Sequence, residues 1–118
     1  KFKISLKDIN VNQIILNIEK SEPSENLTES DIIRRTTDIF KAIGHEGRLK
    51  ILYNFIQSEK TVSMLERALP YKQAAISQQL ARLRFSGIVN CRREGKMIYY
   101  KITNEKISHL LATIRDKF

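Results

Sequence analysis

Three uncharged polar side chains, with cations close by in the sequence, form the part of this chain best suited to recognition chemistry. Gln73, Ser77 and Gln78 share one side of a helix if residues 72–85 are helical. Their amide and hydroxyl groups can hydrogen-bond to base edges in the major groove of DNA, and glutamine can pair with both edge groups of adenine. We therefore expect them to contact bases.

Cations near these residues could hold a phosphate backbone. Residues 71–101 contain seven cations and one anion, so this quarter of the chain carries a net +6 of the total +8. The phosphate contacts that we expect are Lys72, Arg82, Arg92, Arg93 and Lys96. Cations concentrated on a helix and a hairpin are typical of a protein that binds double-stranded DNA. The alternative is an ordinary solvated helix face, followed by a charged hairpin whose cations keep its edge soluble.

Length and composition restrict the class of protein. At 118 residues, with 42% hydrophobic and 29% charged residues, the chain is expected to form one folded domain. Its apolar runs are too short to span a membrane, and a single cysteine cannot form an intramolecular disulfide, so a cytoplasmic protein is favoured. The sequence lacks a Ser/His/Asp set, paired carboxylates and a glycine-rich phosphate loop, which argues against an enzyme.

The apolar periodicity predicts a mainly α-helical fold with one small β-hairpin. One helix should follow a cap at Thr28 and end at Gly44, and a second should start at His45 and end near Gln57. The second helix should bury Leu49, Leu52, Tyr53 and Ile56.

A helix-turn-helix and a hairpin should follow. Thr61 or Ser63 can cap a short helix over 64–69, and a longer one should run from 72 or 73 to about 85. Strands at about 88–92 and 97–102, joined by residues 93–96, form the predicted wing. Thr103 or Asn104 then caps a last helix. The expected inward residues of the two longer helices are Ile76, Leu80, Leu83, Ile107, Leu110, Leu111 and Ile114.

Residues 1–27 read as an N-terminal extension before a DNA-binding and dimerisation domain at 28–118. The extension contains a predicted helix over 8–20 and a polar linker over 21–26. It could add to a dimer interface or act as a flexible arm, and we expect the former.

Three segments carry a resemblance to a known family. They are KAIGHEGRLKIL (41–52), AISQQLARLRFSGIV (75–89) and RREGKMIYYKI (92–102), in that order. Together they resemble the ArsR/SmtB family of winged helix-turn-helix transcriptional repressors, over roughly residues 40–114. The resemblance implies a homodimer, packed through its first and last helices, that binds an imperfect inverted repeat in a promoter. It also implies release by a metal or a small signal.

The residues that sense metals or sulfur species in such relatives are missing here. Thr61 and Ser63 stand where metal-sensing members have a Cys-x-Cys pair, and His109 lacks the partner spacing of the second common metal site. We therefore expect no metal site and no cofactor. The amino-acid sequences of the motifs most resemble those of the branch that senses oxidants or sulfur species, or that regulates without a known ligand. That branch's dithiol switch is impossible, because Tyr53 occupies one cysteine position and the last helix has no cysteine.

Cys91 is the only cysteine, and Arg92 and Arg93 follow it. Cations beside a thiol favour the reactive thiolate, so a one-cysteine redox sensor is conceivable. A small residue filling a strand position is the favoured interpretation.

Two other functions remain open at the level of sequence. A winged helix can be a protein-interaction scaffold that binds DNA weakly and without preference. An RNA-binding winged helix is less favoured, because the chain lacks an exposed aromatic platform for single strands.

Overall fold

The computed structural model describes residues 26–118. The predicted helix over 8–20 and nearly all of the polar linker lie outside the described residues, so these remain predictions. No helix within 26–118 is long and apolar enough to cross a membrane.

Helix α1 (Glu29–Ile43) begins at a reciprocal cap. The Thr28 hydroxyl accepts a hydrogen bond from the Asp31 amide, and the Asp31 carboxylate accepts one from the Thr28 amide at 3.1 Å. The hydrogen bonds from Thr28 lower the pKa of the Asp31 carboxyl group. The predicted start at Thr28 and end at Gly44 are both confirmed.

Helix α2 (Glu46–Gln57) starts at His45, whose Nδ1 accepts a hydrogen bond from the Gly47 amide at 3.1 Å. Its buried face differs from the predicted one. Ile51, Leu52 and Phe55 are buried, whereas Leu49, Tyr53 and Ile56 are only partly buried. The difference arises because α2 lies in the centre of the fold, so that more than one side of the helix contacts a neighbouring element.

Helices α3 (Val62–Ala68) and α4 (Gln73–Phe85) form the predicted helix-turn-helix. Thr61, and not Ser63, caps α3, because its hydroxyl accepts a hydrogen bond from the Met64 amide at 3.2 Å. The predicted inward residues of α4, which are Ile76, Leu80 and Leu83, are each at most 1% exposed. Two short helices are thereby held against α2 by one continuous apolar core.

Gly87 follows the end of α4, as predicted, and has a positive φ of 75°. The Gly87 amide donates to the Arg84 carbonyl and the Ile88 amide donates to the Leu83 carbonyl, so that the last helical carbonyls are satisfied. Ile88 is therefore part of the helix end, and the first strand begins one residue later.

Strands β1 (Val89–Glu94) and β2 (Met97–Ile102) pair antiparallel, from Val89 opposite Ile102 to Glu94 opposite Met97. The connection contains only Gly95 and Lys96, so the predicted four-residue loop over 93–96 is wrong. Gly95 has a φ of 60°, and glycine at the first central position is what a two-residue turn of this kind requires. The strands therefore extend almost to the tip of the hairpin.

Helix α5 (Glu105–Lys117) is capped by Asn104, whose side chain accepts a hydrogen bond from the Lys106 amide at 2.8 Å. Ile107, Leu110 and Leu111 are buried as predicted, but Ile114 is 38% exposed. Ile114 lies on the same stripe beyond the point where the protomer core ends. The Tyr53 hydroxyl donates to the Leu111 carbonyl at 3.1 Å and ties α5 to α2.

We expect Thr61→Ala to lower the free energy of unfolding by about 1 kcal/mol, because it removes the side-chain acceptor at the start of α3. Ser63→Ala is the matched control, since Ser63 is exposed and should change stability by less than about 0.5 kcal/mol. Urea unfolding followed by circular dichroism measures both values. Equal destabilisation by the two substitutions would contradict the assignment of the cap.

Candidate nucleic-acid interface

Helix α4 exposes polar side chains outside its buried stripe. Gln73, Ser77 and Gln78 are all exposed, while Ile76 between them is fully buried. The small neighbours Ala74 and Ala81 are exposed on the same helix and leave room for close approach to another surface. The structure thus brings the three predicted base-contacting residues together on one accessible side of a rigid helix.

The two cations predicted to flank this face lie at opposite ends of α4. Lys72 is the N-cap residue and makes no side-chain cap hydrogen bond. The first amides of α4 therefore donate no hydrogen bond to that side chain, and they can donate to a phosphate oxygen. Arg82 lies roughly 15 Å further along the helix axis, in the last turn. It borders a cleft of about 560 Å³ that is also lined by Arg48 and Lys41. These cations could contact further phosphates of a DNA backbone.

The hairpin is attached to the segment that leads into α3. The Lys60 amide donates to the Tyr100 carbonyl at 3.0 Å, and the Tyr100 amide donates to the Lys60 carbonyl at 2.8 Å. Tyr100 also packs against the core, together with the buried side chains of Val89 and Ile102. These contacts fix the base of the wing relative to the helix-turn-helix.

The outer face of the hairpin carries a cluster that the sequence did not predict. The Arg92 guanidinium donates from Nε to both oxygens of the Glu59 carboxylate, at 3.1 and 3.0 Å, and also from Nη2. Nη1 donates to the Glu94 carboxylate at 3.0 Å, and the group lies 4.7 Å from the centroid of the Tyr99 ring. Arg92, which we expected on a phosphate, is instead held by two carboxylates and an aromatic ring.

The hydrogen bonds in this cluster shift the pKa of both partners so that the charged form of each is favoured. Arg92 lowers the pKa of the Glu59 carboxyl group, mainly by hydrogen bonding, and Lys101 adds a smaller electrostatic contribution. Glu59 and Glu94 in turn raise the pKa of the Arg92 guanidinium. Both partners are therefore charged at neutral pH, and the cationic charge of Arg92 is neutralised on the protein.

The other two wing cations are placed differently. Arg93 donates from Nε to the Gly95 carbonyl at 3.1 Å, which orients its guanidinium at the tip of the hairpin. Lys96 lies in the turn itself and is exposed. Within residues 26–118, neither side chain forms an ion pair. The exposed tip therefore carries two cations that can meet a DNA backbone.

The two wing tyrosines have different environments. Tyr100 packs against the core, whereas Tyr99 faces outward, beneath the Arg92 guanidinium. The alternation of side chains along β2 places adjacent tyrosines on opposite faces. Tyr99 therefore belongs to the polar cluster around Arg92.

Cys91 is half-buried in β1, opposite Tyr100 and on the same face of the hairpin as Val89. It fills a strand position beside the core-facing tyrosine. A role as a redox sensor, the less favoured alternative from the sequence, stays a hypothesis.

Two of the residues that were considered as metal ligands are helix caps, and the third is exposed on α5. The Thr61 hydroxyl is occupied as the cap of α3, and His45 is the N-cap of α2, as predicted for that histidine. His109 is exposed on α5, beside Glu105 and Ser108. Over the described range 26–118, no three His, Cys, Asp or Glu side chains are grouped as a metal site would need.

These features define a class of protein: a winged helix-turn-helix with an exposed polar recognition face and a cationic wing tip. Residues 45–90 match the family described as "Bacterial regulatory protein, arsR family". A biofilm growth-associated repressor from Agrobacterium fabrum is 36% identical over 84 residues, which cover 69% of this chain and 72% of that protein. The chain belongs to the ArsR family of bacterial regulatory proteins.

Other relatives agree in sequence and in fold. The transcriptional activator HlyU of Vibrio cholerae is 34% identical over 76 residues, covering 64% of this chain and 70% of HlyU. The structure of reduced HlyU superposes with a TM-score of 0.70 at 29% identity, covering 74% of this chain and 92% of that one.

A winged helix-turn-helix DNA-binding domain from Mycobacterium bovis, described as homodimeric, gives a TM-score of 0.68 at 26% identity. The match covers 79% of this chain and 88% of that domain. The winged-helix fold and membership among transcriptional regulators, both predicted from the sequence, are therefore confirmed.

We expect Arg93→Ala combined with Lys96→Ala to weaken binding to all DNA sequences about equally. Losing two phosphate contacts should reduce the slope of log affinity against log salt by about 1.8. Fluorescence anisotropy with a labelled duplex over a salt series measures this slope. An unchanged affinity and slope would contradict a role for the wing tip in binding DNA.

Proposed function

We propose that this chain is a homodimeric repressor that binds a near-palindromic operator through α4 and the wing. The observation that carries this proposal is the exposed face of Gln73, Ser77 and Gln78, held on a rigid helix between two flanking cations. Lys72 and Arg82 contact phosphates beside the bases, and Arg93 and Lys96 contact the adjacent backbone. Arg92 contacts a phosphate only if its ion pairs with Glu59 and Glu94 break.

Recognition by one helix is too limited for a unique promoter, because a single α4 reaches only a few base pairs. Two copies related by a two-fold axis read successive major grooves about 34–36 Å apart. Each added base contact contributes discrimination, so two half-sites multiply the specificity. The operator is therefore expected to be an inverted repeat with half-sites one helical turn apart.

Apolar side chains on the two terminal helices of the described range support the dimer. Ile33 and Phe40 of α1 are 59% and 50% exposed, and Ile114 and Phe118 extend the stripe of α5 into solvent. Large apolar residues that stay exposed on a helix are typical of an interaction surface. The relative from M. bovis is described as homodimeric, which agrees with a second copy of this chain as the occupant.

Repression is the simpler of the two regulatory outcomes. The A. fabrum relative is named a repressor, whereas V. cholerae HlyU is named an activator. A small dimer on a promoter can exclude polymerase by occupancy alone, and activation would need an additional productive contact. We therefore propose repression, which a promoter-reporter assay in the presence and absence of the protein tests directly.

Selection from a pool of random duplexes tests sequence-specific binding. We expect the wild-type chain to enrich a near-palindrome, and Gln78→Ala to relax the base preference at one position in each half-site, by about 1–3 kcal/mol of discrimination. The Lys72→Ala variant is the control, because loss of a phosphate contact should lower affinity without changing the preferred bases.

Weak binding of the wild-type chain to all duplexes, with no enriched sequence, would contradict this function. That outcome would favour the scaffold interpretation. A Gln78→Ala variant with the wild-type motif would remove Gln78 from the base-contacting set.

We expect Phe40→Glu to dissociate the dimer, because it places a charge on an apolar surface whose burial contributes about 1.5–3 kcal/mol per large side chain. Phe85→Glu is the matched control. Phe85 is 95% exposed at the end of α4, a helix that does not belong to the proposed interface of α1 and α5. Light scattering should give a monomer for the first variant and a dimer for the second. Dimers of both variants would exclude Phe40 from the interface.

A further inference from the structure

We propose that Glu59 is a positioning residue that holds Arg92 on the protein, withholds one cation from the DNA backbone and so lowers the sequence-independent part of the affinity for DNA. This inference rests on the proposed DNA-binding function and deepens it, since it concerns how the wing divides its charge. A cation that is tied to the protein adds little to sequence-independent binding, which depends on the number of phosphates neutralised.

The geometry of the ion pair supports this role. The Glu59 carboxylate receives hydrogen bonds from Nε and Nη2 of Arg92, the paired arrangement that planar guanidinium and carboxylate groups favour. The Glu59 side chain is only 30% exposed, and the Arg92 side chain is 47% exposed. A phosphate would therefore have to replace a partner that is already well placed.

The two carboxylates that hold Arg92 are not equivalent. Glu94 receives a single hydrogen bond, from Nη1, and its side chain is 68% exposed. Exposed ion pairs of this kind are weak and screened by salt. Glu59 is therefore the partner that decides whether Arg92 is available to a phosphate.

The position of Glu59 is also fixed by the backbone. The next residue, Lys60, makes two backbone hydrogen bonds to Tyr100 of β2, so the segment carrying Glu59 moves together with the wing. Tyr99 also contacts the guanidinium, whose Cζ lies 4.7 Å from the ring centroid. Both partners of the ion pair are therefore carried by segments that the structure ties together.

The consequence is a division of labour within the wing. Arg93 and Lys96, at the tip, supply sequence-independent attraction, whereas Arg92 adds none while Glu59 holds it. Reducing the number of phosphate contacts lowers affinity for unrelated DNA and for the operator alike. The contribution of the base contacts of α4 then forms a larger share of the total binding free energy.

The test is a salt series of DNA affinity with Glu59→Gln, measured on an operator and on an unrelated duplex of equal length. We expect the variant to bind the unrelated duplex about 3- to 8-fold more tightly at 0.1 M salt, with a salt slope steeper by about 0.9. A purely structural role of Glu59 predicts the opposite sign, because a displaced wing would lose contacts.

The matched control is Glu66→Gln, which makes the same change in net charge. Glu66 is exposed on α3, and no contact with Arg92 is found for it within residues 26–118. It should change the slope by less than about a third of the Glu59→Gln effect, since it releases no arginine.

Arg92→Gln tests the same inference from the other partner. In the wild-type background it should change the affinity less than twofold and leave the slope unchanged, whereas in the Glu59→Gln background it should abolish the gain. A loss of about 0.9 in slope on Arg92→Gln in the wild-type background, or weaker or unchanged binding by Glu59→Gln, would overturn the inference. Absence of DNA binding by the wild-type chain would overturn the proposed function as well.

Discussion

Burial of one side of helix α4 is the constraint on which the rest of the molecule depends. Ile76, Leu80 and Leu83 are almost completely removed from solvent against α2 and α3. A helix of 13 residues that commits one stripe to the core must turn the opposite stripe outward. The exposed polar residues of α4, among them Gln78, are therefore held in place by the same packing that stabilises the domain.

The rest of the fold sets the position of this helix relative to the wing. Thr61 starts α3 with a cap, and the residue before it, Lys60, pairs with Tyr100 through two backbone hydrogen bonds. At the other end of the helix-turn-helix, Gly87 with its positive φ lies in the short connection, residues 86–88, between α4 and β1. The hairpin is thus joined to the helix-turn-helix both before α3 and after α4. These two junctions restrict the angle between the hairpin and the helices.

Much of this architecture could be predicted from the sequence, because its signals are local. Caps such as Thr28 and His45 act within one helical turn, and the apolar period of α4 selects a single buried stripe. Burial was predicted less well where a residue's neighbours are distant in the chain. Helix α2 is contacted on more than one side, so its apolar pattern could not show that Phe55 would be more buried than Ile56. The first strand was predicted too short at the tip, because Arg93 and Glu94 have no apolar side chain to mark them as paired, whereas the bounds of the second strand were predicted correctly.

By itself the sequence determined the fold class, the recognition helix with its candidate base contacts, and the concentration of positive charge around them. These properties follow from residue type and short-range spacing, which need no knowledge of how elements pack. Only the tertiary structure decided which of the cations are available. Glu59 and Arg92 are 33 residues apart, and their ion pair exists because the backbone pairing of Lys60 with Tyr100 brings two separate segments together. Counting charges along the chain gives the sign of the surface, but the distances between side chains decide which charges remain free to meet a phosphate.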